Sequence, residues 1–409
     1  MSHSSLGERS QVRKKIIIFC DFYLPSMKSG GGTWTVVNLV DRFCDQYDFF
    51  VVTRNYDSKG DLTPYTTVKT GEWNQTGNAR VFYVASRDFT RGLCAKLVAE
   101  VEPDAVFVNS VFSTPSVKFL MARSKGLIKP LPVILAPCGE FAKAALKRKA
   151  LRKQAFLAYA KTAGHFSGVI WKASSAIEAG EIKDLFGSQI EIWIAPDLAP
   201  RTILPDFNID DKPTKRVGAV KFIFFSRLVP VKNLTYFLKR LAMVEQGDVE
   251  LAIVGPLEDQ SYWQECKKLL SVMPVNINVR IHGAVSYTEG LKHLYSRHFF
   301  VLPTRHENFG YVILESLAAG SPVLISDVTG WSNIDQRNAG WQMPLDDPEK
   351  WNRRINDCIE MDDVEYRLLS RAARDYATEF LAKDESSDAM AKIISRALRG
   401  ADRNEDSGQ

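Results

Sequence analysis

The chain is expected to be an α/β protein of two doubly wound, Rossmann-like domains that face each other across a cleft. Three observations predict this. Short β-branched or aromatic runs alternate with amphipathic stretches along most of the sequence, a rhythm that argues for parallel sheets layered with helices. The rhythm breaks once, at PDLAPRTILPDFNIDDKPTKR (196–216), which is rich in Pro and Asp and holds no sustained period. The length of 409 residues is too great for one ordinary domain and fits two of roughly 150–200. The first domain is therefore expected over 1–199 and the second over 217–381.

In the first half the expected strands are IIIFC (16–20), FFVVT (49–53), RVFYV (80–84), AVFVN (105–109), PVILA (132–136), GVIWK (168–172) and IEIWIA (190–195). Helical periods lie between them near 34–46, 89–101, 114–125, 141–164 and 174–186. After the linker come VKFIFFS (220–226), VELAIVG (249–255), NVRIHG (278–283), HFFVLPT (298–304) and PVLIS (322–326). Their helices are expected near 233–244, 259–272, 287–297 and 310–319. The stretch from about 347 to 398 is helical by period, and the polar tail ADRNEDSGQ (401–409) is expected to be disordered. Two such sheets place a ligand in the cleft at the carboxyl ends of their strands.

Composition excludes several classes. An apolar share of 45% and a charged share of 25% rule out disorder of the whole chain. Lys and Arg outnumber Asp and Glu by 53 to 48, and a surplus of +5 does not mark a nucleic-acid binder. The longest apolar runs are strand-sized, far short of the roughly 18–20 residues a membrane span needs. MSHSSLGERSQVRKK has no apolar stretch of signal-peptide length. The six cysteines are scattered without a CxxC pair, as in a reducing compartment, so a cytoplasmic location is expected.

The chemistry gathers at strand ends. In HENFGYVILESLAAGSPVLIS (306–326), Glu307 sits in the loop after a strand and Glu315 a little over one turn into the next helix. Backbone N–H groups around Asn308, Phe309 and Gly310 form a phosphate seat at that helix start. A carboxylate there can instead accept the paired hydroxyls of a ribose or hexose. The plain alternative is a helix-dipole partner and a solvated helix residue. In SRLVPVKNL (226–234), Arg227 closes a strand and Lys232 opens a helix, with Pro230 stiffening the loop between them. Two cations there suit a diphosphate and would stabilise charge developing on it as a leaving group. They could equally be solvated surface charges. IVGPLED (253–259) offers Gly255 for close backbone approach, and HGAVSYTE (282–289) could offer backbone contacts to a nucleobase at Ala284 and Val285. In SGGGTWTVVNLVDRF (29–43), Gly30, Gly31 and Gly32 lead into a helix and bare its N–H groups to an anion, or simply make a flexible turn. No GxGxxG or GxxxxGK[ST] accompanies them.

These motifs together resemble the family 4 glycosyltransferases, retaining enzymes of the GT-B fold. The resemblance spans most of the chain through Gly30–Gly32, APCGEFAKAAL (136–146), SRLVPVK (226–232) and E-x7-E (307–315), in that order and spacing. It implies that Arg227 and Lys232 grip the donor diphosphate, that Glu307 lies near the donor sugar and that Glu315 holds the ribose. It also implies that the last helix, about 382–400, crosses back onto the first domain. APCGEF is similar to a segment of bacterial members that build surface polysaccharides. The expected reaction is transfer of a hexose from a nucleoside-diphosphate sugar to a hydroxyl, with a glycan or lipid-linked glycan as acceptor. The alternatives are a nucleotide-sugar epimerase on the same fold and a non-catalytic nucleotide-sugar-binding subunit.

The chain departs from the family where many members carry a histidine near the transferred sugar. AVFVNSVFS (105–113) has none, which leaves Asn109, Ser110 and Glu140 as the acceptor-side candidates, and Cys138 stands where related segments often have Arg. No D-x-D occurs, and with anion loops and two cations available neither a metal nor another cofactor is expected. KAALKRKALRKQAFLAYAK (143–161) carries seven cations and no acid. Its near-helical apolar spacing fits a helix lying on an anionic membrane surface through Lys147, Arg148, Arg152 and Lys153, or else a solvated helix. A peripheral position on the inner face of the cell membrane follows from the first reading. Nucleic acid is not expected, because no stacking aromatics interleave with these charges.

Overall fold

In a computed structural model the described residues are 13–26, 30–58, 61–142, 145–146, 150–201, 208–331, 333–383 and 385–406. The first half runs β1 (Lys14–Phe19), α1 (Gly31–Phe43), β2 (Tyr47–Arg54), the antiparallel pair β3 (Tyr56–Ser58) and β4 (Asp61–Pro64), β5 (Trp73–Thr76) and β6 (Ala79–Val84). It continues with α2 (Arg91–Val101), β7 (Ala105–Asn109), α3 (Thr114–Ser124), β8 (Val133–Ala136), α4 (Ala150–Thr162), β9 (Val169–Ala173), α5 (Ala176–Phe186) and β10 (Ile192–Ile194). Its eight-stranded sheet has the order β10-β9-β8-β7-β1-β2-β6-β5, parallel except for the edge strand β5.

The second half is β11 (Ala219–Phe225), α6 (Leu234–Leu241), β12 (Asp248–Val254), α7 (Gln260–Leu270), β13 (Ile277–Gly283), α8 (Tyr287–Tyr295), β14 (Phe299–Leu302), α9 (Tyr311–Ala318), β15 (Val323–Ser326) and β16 (Gly340–Met343). Its six strands are all parallel in the order β13-β12-β11-β14-β15-β16. The chain closes with α10 (Pro348–Glu360), α11 (Asp363–Lys383) and α12 (Glu385–Asp406). The two sheets and their helices make the GT-B architecture of two Rossmann-like domains.

Near-continuous apolar runs explain the central strands, because helices cover both faces of a parallel sheet. Ile17, Phe19 and Val52 face one core of the first domain, while Ile16, Ile18 and Val51 face the other. Phe222, Phe224 and Phe300 are buried in the core of the second. Helix starts follow their caps: Ser113 caps α3, Ser175 caps α5, and Ser286 with Glu289 forms a capping box on α8.

Strand order fixes where ligands go. In the first sheet β1 sits between β2 and β7, and successive connections run outward in opposite directions from it. In the second, β11 sits between β12 and β14 in the same way. These are the topological switch points, whose carboxyl ends leave a crevice. Gly30–Gly32 follow β1 and Asn109 ends β7, while Arg227 follows β11 and Glu307 follows β14.

Several boundaries differ from expectation. β3, β4, β5 and β16 were not anticipated: they are short, polar or edge strands with too little periodicity to register. Residues 208–216, expected to be linker, are fastened to the second domain. The buried Lys212 Nζ donates to Ala319 O and Ser321 Oγ, and Lys215 Nζ donates to the carbonyls of Arg216, Ile359 and Met361. The tail from 401 was expected to be disordered, yet α12 continues to Asp406, since ADRNED contains no glycine or proline to stop it. Residues 407–409 lie outside the described residues. Met390, Ile393, Ile394 and Ala397 of α12 pack into the core of the first domain, and Arg396 pairs with Glu191 at 2.9 Å.

Candidate nucleotide-sugar site

Two helices begin at the cleft, each opened by a glycine with positive φ. Gly30, at φ 78°, precedes α1, and Gly310, at φ 80°, precedes α9. Neither helix start has a side-chain cap, so its first N–H groups remain available to an anion. The two starts converge. A Cβ on Gly30 would lie 3.2 Å from Arg227 Nε, and one on Gly31 would lie 3.6 Å from the Tyr311 ring. The first domain's glycine loop therefore meets the second domain's cation and helix across the cleft.

The site's charges are paired with one another. Arg227 Nη1 donates to Glu258 Oε2 at 3.0 Å, and Lys232 Nζ donates to Glu307 Oε2 at 2.5 Å. The second pair is well shielded, with side-chain exposures of 13% and 11%, and the first is more open at 39% and 31%. Glu315 lies deeper. It is 8% exposed, no described residue hydrogen-bonds its carboxyl, and burial alone pushes its pKa from the usual 4.5 up to about 7. It lines an interdomain cavity of about 280 Å³ with Trp34, Asn38, Tyr287 and Tyr311. The Tyr287 phenol, raised by burial and by the Glu315 carboxylate, is itself buried without a partner among the described residues.

The remaining second-domain positions surround this centre. Gly255, at φ 134°, ends β12, and a Cβ there would fall 2.0 Å from Ser226 O. Its close approach is thus to its own sheet. Ala284 is exposed and Val285 half-buried in the turn between β13 and α8. Phe309 is buried between Tyr311 and Trp331, at ring separations of 4.8 and 5.5 Å, and Trp331 Nε1 donates to its carbonyl. Asn308 reaches across the cleft: the Ser174 hydroxyl lies 2.6 Å from its Oδ1, and its Nδ2 donates to Asp197 at 3.1 Å.

The acceptor-side candidates turn their polar atoms inward. Asn109 Nδ2 donates to Gly32 O at 3.0 Å while its Oδ1 accepts from the Cys138 thiol, so it holds the glycine loop in place. Glu140 accepts from Ser110 Oγ at 2.8 Å and from the amides of Val111 and Phe112, which ties down the loop after β7. Ser110 takes the strained φ of 83° within that loop. Burial raises the Glu140 pKa, against these hydrogen bonds.

Of the basic helix, Lys147 and Arg148 lie outside the described residues. Arg152 is exposed, but Lys153 bends back: its Nζ donates to Ala145 O at 2.8 Å and sits 4.7 Å from the Phe112 ring centroid. Only Leu157 and Ala160 of α4 are buried, while Leu151 stands 84% exposed. No described helix is long and apolar enough to cross a membrane. Among the described residues, no group of three or more His, Cys, Asp or Glu could hold a metal ion.

Sequence reasoning missed four contributors. Glu258 stands three residues past Gly255 in a turn already singled out, but nothing local pairs it with Arg227. Trp34 and Tyr287 belong to different domains and meet only after folding. His306 opens the HENFG loop, and its ring crosses to the first domain. A Cβ on Gly139 would lie 2.9 Å from its Nε2, which has no hydrogen-bond partner among the described residues, and burial lowers its pKa.

The fold is that of a GT-B protein, and its cleft brings together two uncapped helix starts and two ion pairs. Residues 206–375 match the family model of glycosyl transferases group 1. An uncharacterized glycosyltransferase of Methanocaldococcus jannaschii is 32% identical over 126 residues, 30% of this chain and 31% of that protein. The O-antigen chain mannosyltransferase RfbU of Salmonella typhimurium is 28% identical over 146 residues, covering 36% and 40%. The chain thus spans about a third to two fifths of the length of these two curated relatives. Solved structures share the fold along nearly the whole chain. Sucrose-phosphate synthase of Thermosynechococcus elongatus aligns with a TM-score of 0.72 at 14% identity, over 95% of this chain and 100% of that one. HepE of Anabaena in complex with UDP and glucose aligns at 0.65 and 16%, over 94% and 100%.

The burial of Glu315 has a measurable consequence. Between pH 4.5 and about 7 the folded protein keeps a proton that the unfolded chain releases, so stability falls as pH rises through that window. Glu315→Gln is expected to remove this slope and to raise stability at pH 8 by on the order of 3 kcal/mol. Urea unfolding of both proteins at pH 5 and pH 8 checks it; an unchanged pH dependence in the variant contradicts the assignment.

Proposed function

We propose that the protein transfers a hexose from a nucleoside-diphosphate sugar to a hydroxyl acceptor, with retention at the anomeric carbon. The convergence of two uncapped helix starts with Arg227, at the switch points of both sheets, is the observation that carries this reading. A diphosphate seated there meets N–H groups from α1 and α9 and the Arg227 guanidinium. As the anomeric C–O bond breaks, negative charge grows on the diphosphate and positive charge on the sugar ring. Donors fixed in advance around the leaving group stabilise that charge without reorganising.

In this reading Lys232 leaves Glu307 for the diphosphate, and the freed Glu307 carboxylate accepts hydroxyls of the sugar. Glu258 releases Arg227 in the same exchange. Glu315 accepts the hydroxyls of the ribose, which requires it to be ionised. The acceptor oxygen bonds to the anomeric carbon on the face the diphosphate leaves, and its proton passes to a diphosphate oxygen. Closure of the domains excludes water and limits hydrolysis of the donor. Asn109 and Glu140 act by holding the loops that frame the acceptor side. Similarity to an O-antigen chain mannosyltransferase supports a glycan acceptor in polysaccharide synthesis, and we propose that this acceptor is lipid-linked and reached at the cytoplasmic face of the membrane. The exposed Leu151 and Arg152 of α4 support a peripheral membrane contact there. The cations and helix starts supply the positive charge that a metal would otherwise bring.

Thermal-shift measurements with UDP, GDP and ADP are expected to show stabilisation by one of them, about 2.7 kcal/mol at 100 times its dissociation constant. With the matching sugar nucleotide, Arg227→Ala or Lys232→Ala should lower transfer at least about tenfold, and the product's anomeric configuration reports retention. No shift with any nucleotide, or normal turnover in both variants, would refute the proposal. Turnover is expected to persist in EDTA; complete loss restored by magnesium or manganese would contradict the metal-free reading. Vesicle sedimentation should show tighter binding to anionic than to neutral lipid, and equal binding would remove the electrostatic contact.

A further inference from the structure

We infer that Trp34, from the first domain, closes over the nucleoside of the donor, so that nucleoside recognition is shared between the two domains. This rests on the donor reading above and extends it to a residue outside the motifs that suggested it. The argument begins with position. Gly31 and Tyr311 mark where the two helix starts meet at the diphosphate seat, and one turn further along each lie Trp34 on α1 and Glu315 on α9. Helices rise about 1.5 Å per residue, so this places both side chains roughly 5 Å on from the anion, the step from a diphosphate to its ribose. The cavity of about 280 Å³ opens at that place, lined by Trp34, Tyr287, Tyr311 and Glu315 among others.

The cavity's unmet chemistry selects the occupant. Glu315 has no hydrogen-bond donor and the buried Tyr287 hydroxyl has no partner among the described residues. Buried polar groups are ordinarily satisfied, and exceptions call for an explanation. A vicinal diol supplies one: its hydroxyls donate to the Glu315 carboxylate and accept from the Tyr287 phenol. The aromatic walls suit the apolar faces of a furanose or a base. Trp34 and Tyr287, rings from opposite domains, are in contact at a centroid separation of 5.6 Å and a tilt of 43°, and together form one aromatic wall of the cavity. Trp34 also packs against the cores of both domains, so it is set to sense their closure.

Calorimetric titration with whichever of UDP, GDP and ADP binds, and with pyrophosphate as a probe lacking the nucleoside, separates the contributions. Trp34→Ala is expected to weaken nucleotide binding about tenfold or more while pyrophosphate binding stays within about twofold, and Trp34→Phe should retain most of the affinity. Nucleotide affinity within about twofold of the original in Trp34→Ala overturns the inference and leaves the donor reading standing. Absence of nucleotide binding by the unaltered protein overturns the donor reading and this inference with it. Should Trp34→Ala fail to fold, the fluorescence difference between the unaltered protein and Trp34→Phe isolates this indole. Nucleotide is expected to change that difference signal and pyrophosphate to leave it alone; no change with bound nucleotide overturns the assignment.

Discussion

The buried carboxylate of Asp197 is the point on which the cleft depends. It lies on the segment leaving the first sheet, where Lys172 pairs with it, Thr35 of α1 donates to it at 3.3 Å and Asn308 donates from the second domain at 3.1 Å. One anion thereby ties together the end of β9, the first turn of α1 and the loop that carries Glu307. Both members of the ion pair are nearly inaccessible, at 4% and 3% exposure, so their desolvation has to be offset by these extra hydrogen bonds. Burial would depress Lys172, but the charges of Asp197, Cys138 and Glu178 and the hydrogen bond to Asp197 together more than reverse this and raise its pKa. Tyr311 adds a second tie by donating to Leu198 O, which also accepts from Asn38.

Around that anchor the cleft is built from exchangeable partners. Lys232 with Glu307 and Arg227 with Glu258 are each neutral as pairs, so the cleft carries these two cations without leaving them unpaired in a shielded crevice. In the proposed reaction an arriving diphosphate would offer both cations a more highly charged partner and free two carboxylates for hydroxyl groups. Glu315 stands apart because no cation among the described residues neutralises it; burial holds its pKa near neutrality. Placing an unpaired carboxyl there is a local loss of stability of the kind found where binding takes precedence.

Much of the fold was legible. Apart from the edge strands β5 and β16, the strands of both sheets read as apolar runs because a parallel sheet buries both faces, and each of these lies within a few residues of its place. The interdomain break was visible in Pro and Asp, but not that Lys212 and Lys215 would fold its second half onto a domain. Lysines in a polar segment look solvated, and only the opposing carbonyls of Ala319, Ile359 and Met361 make them buried. The basic run at 143–161 divides in a similar way. Its charge is a sequence property, whereas the return of Lys153 to Ala145 and Phe112 depends on what packs beneath the helix.

The same division runs through the site. Local sequence determined the glycine-opened helix starts, the cations after β11 and the two glutamates around α9, because backbone freedom, strand ends and helix spacing are short-range properties. Tertiary structure alone decided which of these face one another. Gly30 against Arg227, Trp34 against Tyr287, and His306 against Gly139 join residues from well over a hundred to more than two hundred and fifty positions apart. Their proximity comes from the order of strands in two sheets and from the Asp197 anchor between them, and neither is written in any local pattern of residues.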